Sequence, residues 1–228
     1  MYILKEKIYE NSNTWYNYNS GGVMRSKRGN IIIIEGPQGV GKSTMANYLR
    51  DNLPTTNLYR LSGIKDKSET GKEKNKIMYL GLINYMESLE ETELNLVFDR
   101  TFFTEQVYCM LGYKEYRFDD VYKRLLKKLS ELDYNIYFVA LYLKDTEIYK
   151  ERLKRVHHNY QEFSIENSVN QQNAYLKLAD DMKKTGINVI KLPMDDFDKG
   201  YNTLIKKIPV LKENNLVYGT KKKGIEKK

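Results

Sequence analysis

The sequence is short of cysteine and of long apolar runs. Its 228 residues include one cysteine, Cys109, which cannot form a disulfide within the chain. A disulfide framework is therefore excluded, and nothing requires an oxidising compartment. The apolar runs, such as residues 31–34 and 136–143, are far shorter than the roughly 20 residues that span a bilayer. The first residues also lack the layout of a signal peptide. We expect a cytoplasmic protein without a membrane partner.

Positive charge is in excess, but it lies at the ends of the chain. The formal net charge is +8. Residues 206–228 contribute eight Lys and two Glu, and residues 1–29 contribute five basic and two acidic residues. Between them, residues 30–205 hold 25 basic and 26 acidic residues. A nucleic-acid-binding domain concentrates its excess charge on a folded face, so this distribution argues against nucleic acid as a partner.

The length and the hydrophobic pattern predict one α/β domain with two extensions. A chain of this size supports a single globular domain. We expect an N-terminal extension over residues 1–28, a domain over 30–208 and a basic C-terminal tail over 209–228. Strands and helices alternate, and their connections are too long for hairpins. This alternation predicts a central parallel sheet of about five strands covered by helices on both faces. The predicted strands are residues 31–34, 57–61, 95–99, 136–143 and 187–192. The predicted helices are residues 42–53, 73–91, 103–111, 119–132, 146–156, 165–184 and 196–207, and a polar loop is predicted over 63–72.

A phosphate-binding loop follows the first predicted strand. Residues 36–44, Gly-Pro-Gln-Gly-Val-Gly-Lys-Ser-Thr, match G-x-x-x-x-G-K-[ST] in full. Glycines let the backbone N–H groups approach phosphate oxygens, and the following helix adds the positive end of its dipole. A chance glycine-rich turn does not account for the strand-turn-helix context. The motif predicts a three-layer P-loop NTPase fold, with nucleotide contacts from Gly36, Gln38, Gly39, Val40, Gly41, Lys42, Ser43 and Thr44.

A carboxylate for the metal ion of the nucleotide is expected at a strand end. Asp99 ends the apolar run 96–98 and is the candidate partner of the Ser43 hydroxyl in binding Mg²⁺. The alternative is that Asp99 caps the following helix, and one side chain can do both. The chain has no Asn-Lys-x-Asp guanine motif, so a GTPase is not favoured.

The chain resembles the thymidylate kinase and deoxynucleoside kinase family of P-loop kinases over roughly residues 30–208. The resemblance rests on Ile34-Glu35-Gly36 before the loop, on Asp99-Arg100 followed by residues 104–108, and on the basic segment 151–155. It implies that Arg100 contacts the phosphate acceptor. It also implies that a lid over residues 144–163 closes on ATP, and that such enzymes often form homodimers.

Phosphoryl transfer explains why these residue types occur together. The reaction needs positioned permanent cations around one point, and arginine binds phosphate oxygens in pairs without losing its proton. Arg152 and Arg155 are three residues apart and would share one helix face. On spacing alone, an ordinary charged helix surface is an equal alternative, and the resemblance favours the lid. The candidate catalytic residues are Lys42, Asp99, Arg100, Arg152 and Arg155.

Three further residues are candidates for the acceptor side, together with Arg100. Glu105 and Tyr108 are three residues apart on the helix that follows Asp99-Arg100. Tyr79 lies in the predicted helix before that strand, where the resemblance places the base-binding helix. Surface placement of Glu105 and core packing of Tyr79 are the alternatives.

The function expected from the sequence is Mg²⁺-dependent transfer of the ATP γ-phosphate to a (deoxy)nucleoside monophosphate. The phosphate loop lacks the Asp that many thymidylate kinases carry, and residues 77–87 contain no Arg. The sequence therefore does not name the base. The alternatives are a deoxynucleoside kinase acting on the 5′-hydroxyl, a P-loop protein acting on nucleic acid ends, and a nucleotide-binding regulator without turnover.

Overall fold

A computed structural model describes residues 28–154 and 164–214. Five parallel strands form one sheet in the order β2-β3-β1-β4-β5. The strands are β1 (Asn30–Glu35), β2 (Thr56–Arg60), β3 (Asn95–Asp99), β4 (Asn135–Tyr142) and β5 (Asn188–Pro193). The α-helices of the described residues are α1 (Lys42–Asn52), α2 (Glu69–Glu87), α3 (Phe102–Met110), α4 (Asp119–Ser130), α5 (Ile148–Leu153), α6 (Ile165–Asp181), α7 (Phe197–Lys207) and α8 (Pro209–Glu213).

The central strand, β1, divides its side chains between two cores. Ile31 and Ile33 join a core formed with α2, α3, α4 and α6. Ile32 and Ile34 join a second core, on the other face, with α1, α5, α7 and α8. Successive side chains of a strand point to opposite faces of the sheet, and here both faces carry a core, so all four isoleucines are fully buried. The predicted three-layer α/β fold with a five-stranded parallel sheet is confirmed.

The structure differs most from the helices predicted from the sequence at three places. Helix α2 begins at Glu69 and ends at Glu87, whereas periodicity predicted 73–91. The polar composition of residues 63–72 predicts a loop, but residues 69–72 lie in the helix, where Gly71 packs against the backbone of Asp66 and a Cβ would clash. Helix α6 ends at Asp181, before the predicted end at residue 184, and residues 182–184 form a 3₁₀ turn.

The third difference lies at the start of the expected C-terminal tail. Pro209 begins α8, and Leu211 is fully buried in the second core. The packed chain therefore continues past residue 208. Residues 1–27 of the expected N-terminal extension, residues 215–228 of the expected tail and residues 155–163 of the expected lid lie outside the described residues. Among the helices that are described, none is long and apolar enough to cross a membrane.

The side chain of Gln172 in α6 ties the end of β4 to α5. Its Oε1 accepts hydrogen bonds from the Leu143 amide at 2.8 Å and from the Tyr149 hydroxyl at 2.7 Å. Its Nε2 donates to the Leu143 carbonyl at 3.1 Å. The amide thus satisfies three buried polar groups where the chain leaves the sheet toward α5.

Replacing Gln172 by leucine should destabilise the protein. Leaving buried donors and acceptors unpaired costs about 1–3 kcal/mol per group, so we expect the free energy of unfolding to fall by at least about 2 kcal/mol in urea denaturation. Asn173→Leu, at the exposed neighbouring position of α6, is the matched control. Equal stability of the two variants would show that Gln172 does not hold this junction.

Candidate active site

The phosphate loop joins β1 to α1 through glycines with positive φ. Gly36 and Gly41 have φ values of 147° and 106°. A Cβ on Gly36 would lie 2.7 Å from the Leu141 carbonyl oxygen, and one on Gly41 would lie 2.5 Å from the Phe197 ring. A side chain at either position would therefore meet both backbone strain and a neighbour. Gly39 also has positive φ and faces Leu153 of α5. Val40 is buried, whereas Ser43 and Thr44 in the first turn of α1 are exposed.

Lys42 lies at the base of this loop. Its side chain is buried, and Nζ donates to the Pro37 carbonyl at 2.7 Å. Burial and, to a smaller extent, the neighbouring Arg100 charge lower the pKa of Lys42 to about 7, against the opposing effects of Asp99 and Glu35. A nearby anion favours the charged form of a lysine, so a bound phosphate would restore this charge.

Asp99 meets Ser43 at the carboxyl end of β3. The Ser43 hydroxyl donates to Asp99 Oδ2 at 2.5 Å, and Arg60 Nε lies 3.9 Å from the same oxygen. Asp99 Oδ1 is buried, and within the described parts of the chain it has no hydrogen-bond partner. Asp99 does not cap α3, whose N-cap residue is Thr101. A carboxylate oxygen and a serine hydroxyl beside a phosphate loop fit Mg²⁺, which prefers a few oxygen ligands together with water and phosphates.

Glu35, at the end of β1, holds the turn that follows Asp99. Its Oε1 accepts from the Thr101 amide at 2.7 Å and from the Thr101 hydroxyl at 3.3 Å. Its Oε2 accepts from the Thr104 hydroxyl at 2.7 Å. The side chain is fully buried, and burial raises its pKa to about 7 against the lowering effects of these hydrogen bonds and of Arg100 and Lys42.

Arg100 lies in this turn and has a strained backbone conformation. Its φ is 74°, which is uncommon for a residue with a side chain, and its amide donates to the Ile34 carbonyl at 3.2 Å. Burial lowers the pKa of its guanidinium, but Tyr108, Tyr175, Glu35 and Asp99 outweigh that effect and raise it. Arg100 is thus held as a cation beside Lys42.

Arg152, from α5, lies against the phosphate loop. Its Nη1 donates to the Val40 carbonyl at 3.3 Å, and its Nη2 donates to the Met194 and Asp195 carbonyls at 2.7 and 3.4 Å. The guanidinium stands 4.2 Å from the centre of the Phe197 ring. The sequence did not single out Phe197, because its neighbours Gly41 and Arg152 are far away in the chain. Arg155 lies outside the described residues.

The three acceptor-side candidates lie in different surroundings. Tyr79 is buried, packs its ring edge on Phe102 and places its hydroxyl 3.5 Å from the Thr101 carbonyl. Tyr108 is half-buried and packs against Tyr113. Glu105 is buried, and its Oε1 accepts from the Tyr116 hydroxyl and forms an ion pair with Lys114. The structure therefore places Tyr79 in the core and Glu105 in a polar network that the sequence did not predict.

The carboxyl ends of β1 and β3 thus bring together a phosphate loop, two cations and two carboxylates. Ile34 pairs with Asp99 in the sheet register, so that Glu35 and Arg100 follow side by side. Ligands of parallel α/β sheets bind at this edge. Of the predicted site residues, Lys42, Ser43, Asp99 and Arg100 lie together at this edge, and their roles stay predictions.

Comparison with known proteins supports the fold. No family model and no curated protein sequence matches the chain. A solved structure of thymidylate kinase from Candida albicans aligns with a TM-score of 0.61 at 16% identity, over 82% of this chain and 94% of that one. Deoxyadenosine kinase from M. mycoides aligns with TM-scores of 0.44 with bound dCTP and 0.49 with bound dATP. The dCTP-bound structure aligns at 13% identity over 82% of this chain and 100% of that one. The dATP-bound structure aligns at 14% identity over 78% of this chain and 97% of that one. Both TM-scores are too low to support an argument about this chain.

The fold is that of the P-loop nucleotide kinases. The resemblance noted in the sequence is confirmed at this level. Identity this low establishes the architecture and not the reaction or the substrate.

Replacing Glu35 by glutamine should change how stability depends on pH. The pKa of Glu35 rises from an ordinary 4.5 to about 7 on folding. Between these values the folded protein binds more protons than the unfolded chain, so increasing pH lowers the free energy of unfolding. The variant lacks this titration. From pH 4.5 to 7, its unfolding free energy relative to wild type should rise by up to about 3 kcal/mol, at about 1.4 kcal/mol per pKa unit.

Urea denaturation at several pH values measures this difference. Glu87→Gln, on the exposed side of α2, controls for the loss of one surface carboxylate. A difference between Glu35→Gln and wild type that stays constant with pH would contradict the assigned environment of Glu35.

Proposed function

We propose that the protein is a Mg²⁺-dependent kinase that transfers the γ-phosphate of ATP to a nucleoside monophosphate. The observation that carries the proposal is the convergence of Lys42 and Arg100 with the Asp99 carboxylate at the mouth of the phosphate loop. Phosphoryl transfer requires little covalent chemistry from the protein and depends on positioned charges. A site that brings the buried Lys42 and the half-buried Arg100 to the Asp99 carboxylate has these groups positioned before the substrates bind.

The donor side is formed by the loop and its two neighbours. We assign the β- and γ-phosphates of ATP to the amides of residues 36–44 and to Lys42, and Mg²⁺ to Ser43 and Asp99. Ser43 and Asp99 would hold the metal ion, which would supply positive charge next to the donor phosphates. Arg152 is placed to act here because it already contacts the Val40 carbonyl of the loop. Arg155 is proposed for the same role from the sequence alone.

The acceptor side lies beyond Arg100. The Glu35 hydrogen bonds hold the turn so that the Arg100 guanidinium is fixed next to Lys42, as an acceptor phosphate would require. Arginine suits this role because its planar fork binds two phosphate oxygens at once. Glu105, Tyr108 and Tyr79 are proposed to shape the rest of the acceptor site. Tyr79 would act from the core, through its contact with the Thr101 carbonyl.

Glu35 supports a second candidate, a nucleoside kinase that phosphorylates a 5′-hydroxyl. A hydroxyl must lose a proton during transfer, whereas a phosphate oxygen is already ionised. A carboxyl group with a pKa of about 7 is suited to accept that proton. In the structure both oxygens of Glu35 already accept hydrogen bonds from Thr101 and Thr104, which favours the monophosphate acceptor.

An ADP-release assay with ATP and Mg²⁺ over a panel of nucleosides and their monophosphates tests the proposal. We expect ADP formation that depends on a monophosphate. Turnover with nucleosides alone would select the second candidate, and a panel without ADP above background would contradict both.

Lys42→Ala should separate turnover from folding. Loss of this charge at the transferring phosphate should lower kcat by about two to three orders of magnitude, as the removal of a single stabilising group does in other enzymes. The circular dichroism spectrum should stay that of the wild type. Lys206→Ala, at an exposed position of α7, is the control. Unchanged kcat in Lys42→Ala would remove the loop from the reaction.

A further inference from the structure

A buried ion pair joins Glu105 of α3 to Lys114 in the α3–α4 connection, and Lys114 also contacts the segment that follows β2, here named the β2–α2 loop (residues 61–68). Lys114 Nζ lies 3.0 Å from Glu105 Oε1, and the side chains are 7% and 1% exposed. The same ammonium group donates to the carbonyl oxygens of Ile64 at 2.8 Å and Asp66 at 3.2 Å. A lysine ammonium has three protons, and here each has an acceptor. Two of these acceptors are main-chain groups of the β2–α2 loop.

Further hydrogen bonds fix the loop at the same place. The Ile64 amide donates to Asn75 Oδ1 at 3.0 Å, and the Glu115 amide donates to the Lys67 carbonyl at 3.0 Å. Asn75 also donates to the Tyr116 hydroxyl at 3.0 Å, and that hydroxyl donates to Glu105. The loop is therefore held by α2 on one side and by the α3–α4 connection on the other.

Gly63 shows how closely the loop approaches Glu105. A Cβ at this position would clash with Glu105 Oε2, so a residue with a side chain would push the loop away. The contact that keeps this spacing is the Lys114 ammonium, which neutralises the carboxylate and at the same time binds the backbone on either side of Lys65. A shift of Lys114 would therefore move the loop and the carboxylate together.

The loop begins next to the candidate acceptor site. The Leu61 amide donates to the Asp99 carbonyl at 3.1 Å, so the chain leaves the sheet beside Arg100. Stability does not explain a buried ion pair here, because the desolvation of two charges offsets much of their attraction. A pair of this kind is better suited to fixing one geometry.

We propose that Lys114 is a positioning residue for the acceptor: it holds the β2–α2 loop against Glu105 and thereby sets the shape of the acceptor site next to Arg100. The inference rests on the proposed function, since it names a determinant of acceptor binding in that same site. Donor binding does not depend on Lys114, because the phosphate loop is held by β1, α1 and Arg152 instead.

Lys114→Met tests the inference in the full-length protein. We expect the KM for the acceptor to rise by about tenfold or more, because the β2–α2 loop is no longer held in place for binding. The KM for ATP should stay within about twofold of the wild-type value. Hydrogen exchange of the peptide covering residues 61–68 should become faster in the variant. Lys74→Met is the matched control, because Lys74 contacts the same loop through Asp66 but is 55% exposed. It should leave both KM values and the exchange rate unchanged.

The double variant Glu105→Gln/Lys114→Met distinguishes a loss of loop positioning from a folding defect. Removing both charges avoids a buried unpaired carboxylate, so its thermal stability should approach that of the wild type while the loop exchange stays fast. An equal rise of both KM values in a stably folded variant would overturn the inference, as would slow exchange of the loop in both variants. If the wild type shows no turnover with any acceptor, the proposed function fails. The hydrogen-exchange measurement does not depend on turnover, so unchanged exchange of residues 61–68 in Lys114→Met would separately reject the positioning role of Lys114.

Discussion

The hydrogen bonds of Glu35 are the constraint on which the rest of the site depends. One carboxylate at the end of β1 accepts from the backbone and hydroxyl of Thr101 and from the Thr104 hydroxyl. These bonds cross from the central strand to the turn after β3, and so they fix the strained backbone of Arg100. A strained residue persists when its surroundings determine its conformation. Without this carboxylate, the two strand ends would be joined only through the sheet ladder.

The same carboxylate helps to keep two cations close together. Burial lowers the pKa of Lys42, and the neighbouring Arg100 charge lowers it as well. Glu35 and Asp99 oppose this lowering through charge. The balance leaves Lys42 with a pKa of about 7, so its charge depends on what else is bound. A site arranged in this way favours an anion strongly, because the anion relieves repulsion that already exists in the folded protein.

Features determined by local sequence were the ones that sequence reasoning predicted. The phosphate loop and β1 follow from a contiguous motif and a contiguous apolar run, and the pairing of Ser43 with Asp99 follows from the rule for strand ends. Interactions between distant side chains could not be predicted in this way. Lys114 meets the Ile64 carbonyl across 50 positions of sequence, and Arg152 meets Met194 across 42. Neither pair leaves a periodic or spaced signal. The start of α2 was predicted too late because the polar composition of residues 63–72 is typical of a loop, although residues 69–72 form the first turn of the helix.

The two halves of the site are held in different ways, and this difference has a consequence for specificity. On the donor side, Lys42 and Arg152 contact main-chain carbonyls of the loop, which change little when side chains are substituted. On the acceptor side, the β2–α2 loop is held by the side chains of Lys114 and Asn75, with Glu105 and Tyr116 behind them. Substitution of any of these moves a loop without touching the phosphate loop. In the proposed kinase, acceptor recognition can therefore change while the chemistry at Lys42 stays the same, because the described contacts that hold the β2–α2 loop are separate from those that hold the phosphate loop.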